Sequence, residues 1–233
     1  MKSVPLNALP ARAYESPVDR RELLPFRVRL VASSQDLDKA VDIRSSAYSR
    51  HIPHLAESLS RPEAEDLRSD VLLLIAERKI DQQAIGSMRL QPNFHRPLRI
   101  EGETRLPLDY HGRRLVETTR LGVENGSSGT MVMVALVKAA YEICHASAID
   151  YGVAGGRRSM AHVFSALGYD KLAGPFPISY GANIPHWVFG IPIRDVERRL
   201  QLAGHAYYNF MARTEHPDID IDYEQVFDIF GSG

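Results

Sequence analysis

Apolar and polar positions along the chain set out its elements. Residues 26–32 alternate, with Phe26, Val28 and Leu30 apolar against Arg27 and Arg29, which is the pattern of a half-buried strand. Ser33 or Ser34 then caps a helix whose first turn holds Asp36 and Asp38, where negative charge suits the helix dipole. Leu37, Val41, Ile43 and Tyr48 continue it toward Arg50, and Pro53 stops it. A polar connector follows, carrying Glu63, Glu65, Asp66 and, just after it, Asp70. The continuous run VLLLIAE at 71–77 predicts a strand buried on both faces. AIGSMRL at 84–90 pairs with it as a hairpin across a turn at 81–83. Residues 92–112, with Asn93, Pro97, Gly102 and Pro107, form a loop of the length usually kept for function.

RRLVETTRLGVENGSSGT at 113–130 is the stretch on which the rest is organised. Leu115, Val116, Leu121 and Val123 with the β-branched Thr118 and Thr119 predict a central strand, interrupted by the charges Glu117 and Arg120. A small-residue loop leads into a helix at 130–149 that is apolar nearly all round. Residues 151–155 read as a short strand, 158–167 as a helix ended by Gly168, 180–192 as a strand with His186 and Trp187, and 195–211 as helical. The order strand, helix, three strands, helix, strand, helix, strand, helix implies an α/β fold: a mixed sheet with helices on both sides.

Composition adds limits. The chain has 233 residues, 44% apolar and 24% charged, enough for one sizeable core. The predicted organisation is a flexible arm at 1–24, one domain at 25–214 and an acidic tail at 215–233. Lys plus Arg (28) nearly balance Asp plus Glu (29), so global charge does not point to nucleic acid. No apolar run approaches the ~20 residues of a membrane helix. One cysteine, Cys144, allows no intrachain disulfide and fits a reducing, cytoplasmic setting. His51 and His54 have a loose metal-like spacing, but Pro53 breaks the helix that would align them, and no metal is expected.

Several pieces in order resemble a known family. The first helix reads IRSSAYSRHI, with Arg44 followed four residues later by Tyr48. The second hairpin strand reads GSMRL with Arg89, and the central strand VETTRLGV has a Glu-x-x-Arg pair, Glu117 and Arg120. Glu65, Asp66 and Asp70 resemble an acidic set before the buried strand, their register open, and FMARTEHPDI resembles a C-terminal element. Together they are similar to the GNAT acyltransferases, in the branch of LuxI-type acyl-homoserine-lactone synthases and FeeM-type long-chain N-acyl amino acid synthases. The resemblance implies a mixed, mostly antiparallel GNAT-like sheet flanked by helices. It also implies an N-acyltransferase that uses an acyl-phosphopantetheine thioester and no tightly bound cofactor. No tryptophan follows the first helix, which sets the chain apart from the lactone synthases.

The chemistry assigns roles. Aminolysis of a thioester needs a neutral amine, a stabilised oxyanion and a thiol leaving group, with no enzyme nucleophile; the chain has no G-x-S-x-G elbow. Glu117 is the candidate base through water, or else a strand acid in an ion pair. Glu117 and Arg120 are three apart and share a face only if a bulge lies around Thr118 and Thr119. Such a bulge would free the N–H of Leu121 or Val123 as an oxyanion donor. Gly126, Ser127 and Gly129 would pass a phosphate onto the helix N-terminus. Arg44 and Arg89 would bind an acceptor carboxylate, with Asp66 and Asp70 around them, or form an internal salt bridge with those acids. Tyr48 lines the acceptor pocket or the core. The run at 71–75 and the helix of Met131 would flank an acyl tunnel. The loop lacks the R-x-x-G-x-G of CoA users, which favours an acyl carrier protein as donor over CoA, with Arg157 and Arg158 on its acidic surface. The expected acceptor is a small amine, an amino acid; the alternatives are a lactone synthase using S-adenosylmethionine and a non-catalytic module that binds the carrier protein.

Overall fold

The computed structural model describes residues 20–126, 128–179, 183–204 and 206–232. Its centre is a seven-stranded sheet with the order β2-β3-β4-β5-β6-β8-β7. The strands are β2 (Phe26–Leu30), β3 (Leu72–Arg78), β4 (Ala84–Pro92), β5 (Leu115–Val123), β6 (Tyr151–Gly156), β7 (Asp170–Pro177) and β8 (Pro185–Pro192). Every pairing is antiparallel except β5 with β6. That one parallel pair requires a crossover, supplied by α3 (Ser128–Ala146). The expected mixed, mostly antiparallel sheet with helices on both faces is present.

The two faces follow from strand alternation. Gly86, Met88 and Leu90 of β4 and Val116 of β5 face α3. A Cβ on Gly86 would lie 2.6 Å from Val132 Cγ1, so the absent side chain lets α3 sit close. Ser87, Arg89 and Gln91 face the other side, where α1 (Ser34–Ser49) runs; the Ser87 hydroxyl donates to the Ala40 carbonyl at 3.1 Å. Ser33 caps α1 by accepting from the Asp36 N–H. Pro53 ends α1 and also opens α2 (Pro53–Ser58) from its first turn, where its missing N–H costs nothing.

Several expectations need correction. β7 was not legible: DKLAGPFP carries two prolines and a largely exposed pattern, which is tolerated only because β7 is an edge strand. The acidic end is folded into the body. Thr214–Glu215 (β9) pair in parallel with Arg20–Arg21 (β1), and α6 (Tyr223–Phe230) buries Val226 and Phe230 in the core under α3. Of the predicted arm, residues 1–19 lie outside the described residues, whereas Arg20 and Arg21 are paired and Leu24 is buried. The helical segment at 195–211 is shorter than expected: α5 (Val196–Leu202) ends before Gly204, at φ +59°. α4 is likewise short, Ala161–Ala166. Among the described residues no helix is long and apolar enough to cross a membrane.

Candidate active site

The β5–β6 pairing runs from Leu115 with Tyr151 to Thr118 with Ala154 and stops there. Both strands continue, β5 to Val123 and β6 to Gly156, so the sheet opens between them. The opening has a local cause. Ser87 pairs with Gly122 and Arg89 with Thr119, so Met88 faces two residues, Arg120 and Leu121. Arg120 sits at φ +55°, an uncommon conformation for a residue with a side chain. This is a β-bulge, which bends its strand. A bulge was expected around Thr118 and Thr119; it lies just after them. Its effect is that Thr119 and Arg120 both turn toward the α1 face, joining Glu117 there, while Thr118 and Leu121 turn toward α3.

A cleft of about 600 Å³ occupies the opening and passes through the sheet. On the α3 side its walls are apolar: Met88, Met133, Val137, Ala140, Phe164 and Leu167. On the α1 side Tyr48, Arg50, His51, Arg120, Arg157 and His186 bring polar and cationic groups, beside the apolar Ile52, Leu55 and Ile178. No carboxylate is among the described lining residues. The run at 71–75, expected to flank an acyl tunnel, belongs to β3, two strands away from the opening. Met131 is half exposed and off the lining; Met133, two residues on, and Val137, one turn further, take that place.

Behind the polar wall lies a buried ion network. Arg120 donates through Nε and Nη2 to both oxygens of Glu63, each at 2.7 Å, and also hydrogen-bonds Tyr48. Arg89 Nη1 reaches Glu63 at 3.1 Å and Asp66 at 2.9 Å, and its Nε donates to Thr119 Oγ1. Arg44 forks onto both oxygens of Asp66 at 3.1 and 2.9 Å. Burial pushes the Glu63 carboxyl up, but Arg120, with Arg89 and Arg44 behind it, outweighs this and brings it down to about 2. Asp66 is also held below the usual carboxylate range, by Arg44 against its burial. Four guanidiniums face two carboxylates, Arg99 standing 3.6 Å from Glu63, and Arg44 Nε and Arg89 Nη2 are buried without an acceptor among the described residues.

Arg44 and Arg89 form the internal salt bridge: both are buried and turned onto Asp66, and none of the three is on the described cleft lining. Asp70 stands apart, bound by Arg68 through both oxygens. Glu65 lies at the rim, 3.6 Å from Arg99. The acid missed from the sequence is Glu63, which caps the 3-10 turn at 64–67 in a reciprocal box with Asp66. A Glu-x-x-Asp spacing signals such a box, but four acids between 63 and 70 hid which pair forms it.

Glu117 is completely buried, and its Oε2 accepts from the Ile100 N–H at 3.2 Å. It shares the α1 face with Arg120, yet it is not on the cleft wall. The 92–114 loop covers it, with Leu98 and Ile100 packed on Leu115 and Val153. Expected as the base in the cleft, it stands off the described lining and holds the Ile100 N–H of that loop.

Backbone groups complete the wall. The Glu124 N–H donates to the Ile85 carbonyl, so one residue back Val123 directs its backbone away from β4, while Leu121 stands at the bulge. Consistently, the Val123 carbonyl accepts from Arg50 on that side. Both residues line the cleft. At the helix start the described residues do not face the cleft. Ser127 lies outside the described residues. Gly126 and Gly129 are off the lining, and the Gly129 N–H is used by the Gly126 carbonyl. Glu124 accepts from the Ser128 hydroxyl at 2.7 Å and is paired with Arg78 at 2.8 Å. Arg157 lines the cleft, while Arg158 beside it is exposed.

No family model matches the chain, and no curated protein matches it. Solved structures do. FeeM, an N-acyl amino acid synthase from uncultured soil microbes, is 14% identical at TM-score 0.58, covering 77% of this chain and 96% of its own. A putative N-acetyltransferase from Lactobacillus plantarum is 15% identical at TM-score 0.54, covering 73% and 99%. BjaI, a CoA-dependent acyl-homoserine lactone synthase solved with SAM and isopentyl-CoA, is 16% identical at TM-score 0.53, covering 82% and 93%. The likeness establishes the GNAT acyltransferase fold.

Proposed function

We propose that the protein is an N-acyltransferase that moves a fatty acyl group from a phosphopantetheine thioester to the amine of an amino acid. The observation that carries this reading is the cleft that passes through the sheet, apolar toward α3 and cationic toward α1. A thioester lying in the opening would lay its acyl chain against Met133, Val137 and Ala140. Its carbonyl oxygen would meet the N–H groups of Leu121 and Val123, which supply an oxyanion hole. An amine bearing a carboxylate would approach from the other side, where Arg50 and Arg157 offer charge and no carboxylate is among the described lining residues.

The donor in this reading is an acyl carrier protein. Gly126 and Gly129 at the start of α3 stand off the cleft lining, so affinity would come from protein surface, with Arg157 and Arg158 at the rim. The buried, unpaired Cys144 suits a reducing, cytoplasmic setting. A lactone synthase would also have to hold the sulfonium of S-adenosylmethionine, and the lining has no acid to face it.

The test is to incubate the pure protein with acyl-carrier and acyl-CoA thioesters, an amino-acid mixture and, separately, S-adenosylmethionine, and to weigh the products. Acyl amino acids from the carrier donor support the proposal. A lactone replaces its acceptor, CoA-only turnover replaces its donor, and the absence of any acyl-amine product overturns it.

A further inference from the structure

The polar wall raises a question of proton transfer. Aminolysis has to remove a proton from the attacking nitrogen, and Glu117 is roofed over by the 92–114 loop. The described lining carries no carboxylate, so the groups of ordinary basicity on it are two histidines, His51 and His186. His51 is exposed, and none of the described residues orients its ring. His186 is held. It stands on β8 opposite Phe176 of β7, partly buried, and its Nδ1 lies 2.6 Å from the Ile184 carbonyl. A carbonyl only accepts, so Nδ1 carries the proton and Nε2 keeps its lone pair. Ile184 is itself fixed, packed against Ile52, Leu55 and Leu59 at α2. Nε2 has no hydrogen-bond partner among the described residues.

We infer that His186 is the catalytic base, its Nε2 taking the proton from the acceptor amine; this rests on the acyl-transfer reading above. The nitrogen lone pair attacks the thioester carbonyl carbon, a C–N bond forms, and the π electrons move to the oxygen facing Leu121 and Val123. The N–H proton passes to Nε2. Collapse breaks the C–S bond, and the imidazolium returns the proton to the departing thiolate, so amide and thiol leave with His186 neutral again.

The surroundings keep the ring in its working form. Burial lowers the His186 pKa below its ordinary value, and the nearby Arg157 and Arg120 lower it further against the pull of the Ile184 carbonyl. Arg157 comes from the segment before α4 and Arg120 from β5; Tyr48 and His51 face the cleft from α1 and its end. None of these is an acid that would stabilise the imidazolium, so Nε2 is available throughout the neutral range.

The experiment compares kcat/KM of wild type and His186→Gln against pH, using a carrier-bound acyl donor and an amine of low basicity, so that the amine's own protonation stays outside the window. Wild type shows an acid limb with its midpoint below the ordinary histidine value of about 6.5. His186→Gln loses that limb and falls about 100- to 10,000-fold, with KM for the donor unchanged. A variant within a few-fold of wild type, with the same profile, overturns the assignment while leaving acyl transfer intact. A wild type that makes no acyl-amine product fails at the earlier step and takes this inference with it. If the variant does not fold, ¹⁵N NMR of the wild-type histidines decides. His186 protonated on Nδ1 alone at pH 7 is expected; the other tautomer, or an imidazolium, overturns the assignment.

Discussion

Arg120 and Glu63 meet through two parallel hydrogen bonds of 2.7 Å, 57 residues apart in sequence and both largely buried. The pair ties the bulged segment of β5 to the turn before β3. Removing one partner from a buried pair leaves an uncompensated charge, at a cost of about 3–5 kcal/mol. Glu63→Gln is therefore expected to lower unfolding stability by about that much in urea titration. A loss under 1 kcal/mol would mean that water reaches Arg120 and screens it.

The same pair predicts acid sensitivity. The folded Glu63 carboxyl lies at about 2, below the ordinary 4.5. A depressed carboxylate contributes stability that is complete above the unfolded value and lost as pH falls through the folded one. The window is therefore roughly pH 4.5 down to 2, and the two values bound the loss at about 3 kcal/mol. Wild type should lose stability across that window more steeply than Glu63→Gln, by urea midpoints at each pH. Parallel slopes would assign acid unfolding to other carboxylates, such as Asp66.

Gly122 predicts a packing effect. A Cβ there would lie 3.1 Å from Arg44 Cα and 3.2 Å from Ala47 Cβ, both on α1. Neither neighbour is a flexible tip, so α1 itself has to move. Overpacking of this kind costs about 1–3 kcal/mol. Gly122→Ala should lower the urea midpoint and shift Tyr48, which α1 carries into the cleft. Unchanged stability would show that α1 slides freely on β5.

The apolar side of the cleft predicts chain-length selection. Val137→Phe adds bulk where the proposed acyl chain lies, against Met133 and Ala140. A cost of about 1–3 kcal/mol, specific to donors long enough to reach it, corresponds to roughly a 5- to 150-fold loss of kcat/KM for long acyl donors. Short donors should be used as before. Equal losses for all lengths would place the chain elsewhere.

Local pattern made part of this legible. The β3–β4 hairpin, α1 with its Ser33 cap, and the need for a bulge between Glu117 and Arg120 follow from alternation, capping chemistry and an odd offset. The rest depends on tertiary neighbours. Glu63 could not be told from Glu65 or Asp70 until the turn at 64–67 showed which acids point inward. Glu117 reads as a cleft acid until the 92–114 loop is seen to close over it. His186 sits in PHWVFG, an ordinary strand pattern, and gains meaning only from the Ile184 carbonyl and the opening beside β6.

The carrier surface predicts a separation of donors. Arg158 is exposed and off the cleft wall, beside Arg157, which is on it. A charge at the rim of an interface acts on encounter rate and salt dependence more than on chemistry. Arg158→Glu is therefore expected to raise KM for an acyl-carrier thioester about tenfold at low ionic strength, an estimate based on rim-charge effects. The effect should shrink toward wild type as salt approaches 0.5 M, where the Debye length falls to roughly 4 Å. kcat should not change, because the residue touches neither the thioester nor the amine. The acyl-CoA thioester, which has no acidic protein surface, should show at most a small rise in KM. Equal rises for both donors would mean that Arg158 meets the pantetheine arm itself, and no rise for either would move carrier docking to another face.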